Sequence, residues 1–348
     1  NFNTMANDNI SIGIVGLGFM AAMHIRAYRK IDGVTVAAIC DLDPERLKGD
    51  FTEVSGNIET DEPVKLDMSV VKAYQDFNDL LADESIDAID ICTPTRTHLR
   101  MAKPALASGK HVICEKPLAR CTNEAKELVE AAAQAKGHFM VGMCLRFWPE
   151  WVWLKEAIDD GRYGRVLSAR FRRVAEAPAW GQSTFLDGKK SGGALLDLHI
   201  HDADFVRFCF GGPKSIYAQG HSKVSGEIDH VLAQYEVDCG AAVSAEGSWA
   251  MAEGFGFSME YTVNFERATV DFDNTREKDC LKLFEKDKEP ETLKLNAPDG
   301  YAGQIAYFAN CISQGNAPST VTAADGVGSV ELCEAAGRSI ETGGIVAL

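Results

Sequence analysis

A short apolar run, Ile10–Val15, feeds directly into Gly16-Leu17-Gly18-Phe19-Met20-Ala21, and a helix-like stretch continues from Phe19 to Lys30. Few sequence features limit a fold as tightly. A buried strand that becomes a helix through glycines uses Gly16 for the tight turn and Gly18 for close approach of a ligand to the backbone. The small Ala21 lets helix and strand pack closely. The free N–H groups and dipole at such a helix start suit a diphosphate. The next β-rich run, Val34–Cys40, ends at Asp41, where a ribose-binding carboxylate is expected. An acid there accepts hydrogen bonds from both ribose hydroxyls and repels a 2′-phosphate, so NAD is expected over NADP.

The alternation continues. Helices are predicted over Ser69–Ala82, His98–Ser108 (despite Pro104) and Asn123–Lys136. Strands are predicted over Ile86–Cys92, His111–Cys114 and Phe139–Leu145, the first interrupted by Asp87 and Asp90. Such alternation argues for an α/β fold with a doubly wound parallel sheet of Rossmann type, assigned to residues 1–145. The polar stretch between Arg46 and Val70 is too long for an ordinary connection and reads as a surface insertion. From Arg146 the texture changes. A helix at Trp151–Asp160 precedes β-rich runs at Val166–Val174, Ser215–His221, His230–Val237, Ala241–Trp249, Phe257–Phe265 and Ala268–Phe272. Short turns between them suit antiparallel pairing, and helical stretches at Gly303–Ser313 and Asp325–Thr342 close the chain. Residues 146–348 are therefore expected to form an α+β domain. Two domains agree with a length of 348 residues.

Two further motifs carry chemistry. Cys114-Glu115-Lys116-Pro117 follows a strand directly, and Thr93-Pro94 follows another. In a parallel sheet both strand ends open onto the ligand crevice, where a lysine can reach a nicotinamide and a substrate hydroxyl. The second motif runs from Ser191-Gly192-Gly193 through Asp197, His199 and His201 to Asp204. In a helix, Asp197, His201 and Asp204 share one face, and carboxylates beside a histidine can fix its tautomer for proton transfer. In a strand, His199 and His201 would instead form a metal pair. The apolar spacing of Leu195, Leu198, Phe205 and Phe208 favours the helix.

Charge and cysteine usage limit partners. The net charge of −16 argues against nucleic acid and against anionic membrane surfaces. Ten cysteines stand singly with no CxxC pair, and the first uncharged run lacks the basic flank of a signal peptide. A reduced, cytoplasmic enzyme is expected.

Taken together, these residues resemble the Gfo/Idh/MocA oxidoreductases. The likeness runs from the glycine motif through Thr93-Pro94, Glu115-Lys116-Pro117 and Arg146-Phe147. It continues over Gly192-Gly193…Asp197…His201…Asp204 to Tyr301…Gly315…Pro318…Ser339…Gly343. The resemblance implies a second domain with a large, open, mostly antiparallel sheet that often forms a homo-dimer or homo-tetramer interface. It implies NAD held by Gly16, Gly18, Phe19, Met20 and Asp41, with Thr93, Pro94, His98, Glu115 and Lys116 completing the site. The substrate implied is a sugar, cyclitol or related polyol, contacted by Arg146, Asp197 and His201; Trp180, in the polar stretch just before Gly192-Gly193, is placed to stack on a sugar face. Lys116, Asp197 and His201 become the catalytic set and no metal is expected. His201 takes the hydroxyl proton, Lys116 steadies the developing oxygen charge, and hydride passes to NAD. The rival readings are an NAD-dependent glycoside hydrolase of the same fold, an NAD-sensing regulator, and a metal-dependent hydrolase using His199 and His201. His199 replaces a glycine common in the family, and the insertion around Gly49–Met68 departs from the usual pattern.

Overall fold

The computed structural model describes residues 9–52, 54, 56, 63–178 and 185–348. Two units form, Asn1–Phe147 with Asp299–Val327, and Trp148–Pro298 with Gly328–Leu348. The sequence suggests a single boundary after 145, whereas the segment Asp299–Val327 groups with the first unit.

In the first unit, strands β1 (Ile10–Val15), β2 (Val34–Cys40), β3 (Lys72–Tyr74), β4 (Ala88–Ile91), β5 (His111–Glu115) and β6 (Phe139–Gly142) make one sheet. Its order is β3-β2-β1-β4-β5-β6, every pair parallel. The order reverses between β1 and β4, the place where open α/β sheets bind ligands. Helices α1 (Phe19–Tyr28), α2 (Phe77–Ala82), α3 (His98–Ala107) and α4 (Thr122–Gln134) connect the strands. Ile14, Ile89, Ile91, Val112 and Cys114 are buried, as a sheet covered on both faces requires.

One expected helix is absent. Ser69–Ala82 divides into β3 and α2 because Ala73 pairs with Ile39 at the sheet edge. Asp76 then starts the helix by accepting the Asn78 N–H at 2.8 Å. Tyr74 suits extended chain, and sheet pairing prevailed over the apolar spacing.

The second unit holds α5 (Pro149–Asp159), β7 (Val166–Glu176) and three helical pieces, α6 (Gly188–Ser191), α7 (Gly193–Asp197) and α8 (Ile200–Phe210). Strands β8 (Ser215–His221), β9 (His230–Glu236), β10 (Ala242–Met251), β11 (Phe257–Phe265) and β12 (Ala268–Asp273) follow. Short strands β13 (Leu281–Glu285), β14 (Glu291–Thr292) and β15 (Val346–Ala347) carry no clear sequence signal and extend the sheet. Its order is β14-β13-β12-β11-β7-β10-β9-β8-β15, antiparallel except for the parallel β7–β10 pair. Along β9, Val231, Ala233 and Tyr235 are buried while Leu232, Gln234 and Glu236 are exposed, so one face meets a core. In that core Trp151 of α5 stands edge-on to Phe272 (4.8 Å between ring centres) and Tyr261 (5.2 Å). Phe205 of α8 meets Phe171 at 5.7 Å. Helices α9 (Gly300–Gln314) and α10 (Ala323–Thr342) complete the chain. Among the described residues no helix is long and apolar enough to cross a membrane.

Candidate active site

The glycine turn leaves β1 with Gly16 at φ 85°, and a Cβ there would lie 2.9 Å from the backbone N and Cα of Thr93. Glycine is required on both counts: the left-handed conformation and the close passage of the chain after β4. A Cβ on Gly18 would meet no protein atom within 4 Å. That position opens onto free space, as an approaching diphosphate needs. Gly18 starts α1, and among the described residues no side chain caps it, so the helix start suits an anion. Asp41 closes the rim: its Oδ2 accepts the Leu17 N–H at 2.7 Å and its Oδ1 the Asp43 N–H at 2.9 Å. Phe19 and Met20 are half-buried beside the turn.

The segment after β2 is more than a solvated loop. An Asp50–Lys65 bridge closes its neck, with the Phe51 N–H donating to Val64 O at 2.9 Å. Phe51 and Val64 are buried. Gly56 rests on Phe19 so closely that a Cβ there would be 2.4 Å from the ring.

At the next strand ends, Thr97 Oγ1 donates to Pro94 O and lies 2.7 Å from Thr93 Oγ1. His98 is fully buried, with Nδ1 2.8 Å from Pro117 O and Nε2 2.8 Å from Thr93 O. His98, expected as a cofactor contact, ties the Thr93-Pro94 turn to the Lys116-Pro117 turn with both ring nitrogens. The Lys116–Pro117 bond is cis. Glu115 is buried, and its Oε2 accepts the Lys116 N–H at 3.2 Å. Gly142 on β6 makes room for that carboxylate, since a Cβ there would stand 2.6 Å from Oε1.

Behind these turns lies a polar cluster that the motifs do not announce. His24 on α1 places Nδ1 2.7 Å from Asp90 Oδ2 and Nε2 3.3 Å from Glu115 Oε1. Tyr28 Oη donates to Asp90 Oδ2 at 3.0 Å, and Cys92 Sγ donates to Asp90 Oδ1 at 3.3 Å. Gln304 of α9 comes within 3.3 Å of His24 Nε2. Asp90, a charge inside an apolar strand run, was the one available signal.

The Arg146 guanidinium, expected near substrate, is buried, donating to Thr320 O at 2.8 Å and pairing with Asp325 at 3.2 Å. Burial raises the Asp325 carboxyl, but Arg146 and the Thr322 donors outweigh this and hold it below its ordinary range. Arg146 thus fastens the returning segment to the first unit. Trp180 lies outside the described residues.

In the second unit, Gly192 and Gly193 take φ of 89° and 69° and lead into α7, which ends at Asp197. The chain keeps right-handed helical angles through Leu198 and His199 into α8, where His201 stands in the first turn. Asp197 and His201 are half-buried and one turn apart. The helical reading holds in broken form, and the strand-based metal pair does not. His199 is fully buried, 2.9 Å from Tyr235 Oη, its Cβ so near β10 that Gly247 has no room for one. Burial, reinforced by the Arg173 charge, pushes the His199 pKa down to about 4. It packs as a neutral ring. Asp204 is also spent elsewhere, its Oδ1 accepting from Ser329 Oγ at 2.9 Å. Sequence reasoning missed the buried pair Arg173–Asp202 (2.9 Å).

Residues 10–143 match the family model described as the GFO/IDH/MocA oxidoreductase family, NAD-binding Rossmann fold, and residues 151–271 match the GFO/IDH/MocA C-terminal domain. The chain belongs to the GFO/IDH/MocA family. Among relatives, the myo-inositol 2-dehydrogenase of Thermotoga maritima is 27% identical over 344 residues, covering 95% of this chain and 96% of that one. The scyllo-inositol 2-dehydrogenase (NAD(+)) of Bacillus subtilis is 27% identical over 347 residues, covering 96% and 95%. In fold, levoglucosan dehydrogenase in complex with NADH and levoglucosan superposes with a TM-score of 0.83 at 22% identity, covering 98% of this chain and 99% of the other. As a GFO/IDH/MocA protein, the chain is an NAD-binding oxidoreductase. The glycine turn, Asp41 and the strand-end motifs lie in the first unit, and Asp197 with His201 in the second.

Proposed function

We propose that this chain is an NAD-dependent dehydrogenase oxidising a hydroxyl-bearing carbon of a cyclitol or sugar. The observation that carries the reading is its likeness, along about the whole length, to relatives named for acting on inositols. The residues present fit the cofactor. Gly18 leaves open the space that a Cβ would fill, the start of α1 offers N–H groups to a diphosphate, and Asp41 stands at the rim for a ribose. NAD, when bound, accepts the hydride.

The protein's own part is placement and proton transfer. His201 takes the hydroxyl proton as oxidation proceeds, and Asp197 orients that imidazole or a neighbouring substrate hydroxyl. Lys116 donates to the oxygen as negative charge develops on it. Reduction of the ketone uses the same groups in reverse.

Two measurements test this. An NAD-reduction screen over cyclitols, aldoses, uronic acids and amino sugars is expected to yield a substrate in the first two groups. On that substrate, Lys116→Ala and His201→Ala are each expected to lower turnover by about 10²–10⁴-fold, while fluorescence titration shows NAD still bound. Full activity in both variants would refute the assigned roles.

A further inference from the structure

His24 takes no part in the chemistry above, yet it joins three elements beside the glycine turn. The helix that begins at Gly18 carries it, β4 carries Asp90, and β5 ends at Glu115. We propose that His24 is a positioning residue: clamped between Asp90 and Glu115, it holds the Glu115 carboxylate inward and through it the backbone at Lys116. The clamp rests first on the geometry of these contacts, and its bearing on turnover rests on the dehydrogenase reading.

The two carboxylates show why the clamp needs a charge. Both are buried, and a cation placed between two buried carboxyl groups favours each of them. Asp90 is committed as an acceptor, since Tyr28, Cys92 and His24 all direct donors at it. On the other side of the ring, Glu115 Oε1 and Gln304 Oε1 are both buried without a hydrogen bond. A proton on His24 Nε2 resolves both vacancies at once. It donates toward Glu115 Oε1 at 3.3 Å, and turning over the Gln304 amide presents its oxygen in place of its nitrogen. Burial opposes the imidazolium, but Asp90 and Cys92 outweigh it and hold the His24 pKa well above 6.5. The polar and titratable groups facing the ring are Tyr28, Asp90, Cys92, Glu115 and Gln304, with the Tyr301 ring 6.4 Å away. A metal does not suit the same place. His24 Nδ1 and Asp90 Oδ2 stand at 2.7 Å, whereas two ligands on one tetrahedral zinc are roughly 3.3 Å apart.

The sign of the pH effect follows. A histidine with a raised folded-state pKa contributes stability below pH 6.5 and loses it as pH climbs through the folded value. The clamp should therefore hold through neutrality and release on the alkaline side.

The test uses the full chain with NAD itself. Proton NMR of the histidine rings is expected to show one resonance, lost in His24→Gln, whose titration midpoint lies well above pH 6.5. In Glu115→Gln, which retains His24 should His24→Gln fail to fold, that resonance is expected to titrate at lower pH. NAD titrations complete the cycle: each single variant should weaken NAD roughly tenfold, and the double variant no further than the worse single one. The alkaline decline of NAD affinity that the clamp causes should be missing in His24→Gln. A His24 ring that titrates near pH 6.5, or one unmoved by Glu115→Gln, or additive losses in the double variant, overturns the proposal. No arm uses a polyol, so failure of the clamp and failure of the substrate reading show in different assays.

Discussion

Gly16 and Gly18 stand two residues apart and answer different demands. Gly16 is fixed by its own backbone and by Thr93, Gly18 by what must come close to it. Gly16→Ala is therefore expected to lower stability by at least the roughly 1–2 kcal/mol that a left-handed alanine costs, and to lose NAD binding with it. Gly18→Ala should melt like the parent and weaken NAD by roughly tenfold or more; a thermal melt beside an NAD titration separates the two. His199 gives a pH effect opposite in sign to that of His24. Its folded pKa, about 4, lies below the ordinary 6.5, so its contribution is complete above 6.5 and drains away as pH falls toward 4. The loss at the acid end is about 3 kcal/mol. Urea midpoints at pH 7 and pH 5 should differ less in His199→Phe than in the parent. The motif residues were legible in the sequence because each sits at a turn where spacing reports geometry. His24 was not, because a histidine on an apolar helix face looks alike whether it packs or bridges two carboxylates. Only the pairing of α1 with β4 and β5 tells them apart.

Elements, too, are held by single side chains. The buried Asp229 carboxylate accepts the N–H groups of Lys223 (2.7 Å), Val224 (2.6 Å) and Ser225 (3.0 Å), the Ser225 hydroxyl and the Trp249 indole N–H (2.6 Å). The loop it gathers presents Ile228 O to the Leu195 N–H at 3.1 Å, only 2.5 Å from where a Cβ on Gly193 would be. That contact sets the start of α7, which ends at Asp197. Asp229→Asn puts an NH₂ among donors, and a loss of roughly 2–3 kcal/mol in chemical unfolding is expected. Gly193→Ala should reduce turnover more than Asp229→Asn does, since it moves α7 directly. Most strands showed in the sequence because apolar alternation survives whichever neighbour they pair with. The edge strands β3, β14 and β15, and β13 beside β14, did not. They are short, and their extended form comes from the partner strand rather than from their own residues.

At the scale of the whole chain, the first unit is completed by residues that come after most of the second. Helix α9 packs on α1 and brings Gln304 to His24, while Arg146 grips Thr320 and Asp325. A fragment of residues 1–147 should therefore unfold without a cooperative transition. The same fragment joined by a short linker to 299–327 should melt cooperatively and bind NAD. Equal behaviour of the two fragments by calorimetry would refute that assignment. The −16 charge is no obstacle to a negatively charged cofactor, because a helix start such as that of α1 offers backbone N–H groups to an anion without lysines.

The order of synthesis gives the discontinuous unit one more consequence. On a ribosome adding about 5–20 residues per second, the glycine turn emerges first, yet α9 is finished only at Gln314. For an interval on the order of ten seconds or more, α1 waits with its apolar side uncovered while the whole run from β7 to β14 is being made. The nascent chain is most exposed to chaperones and proteases during that wait, at the helix that follows the glycine turn.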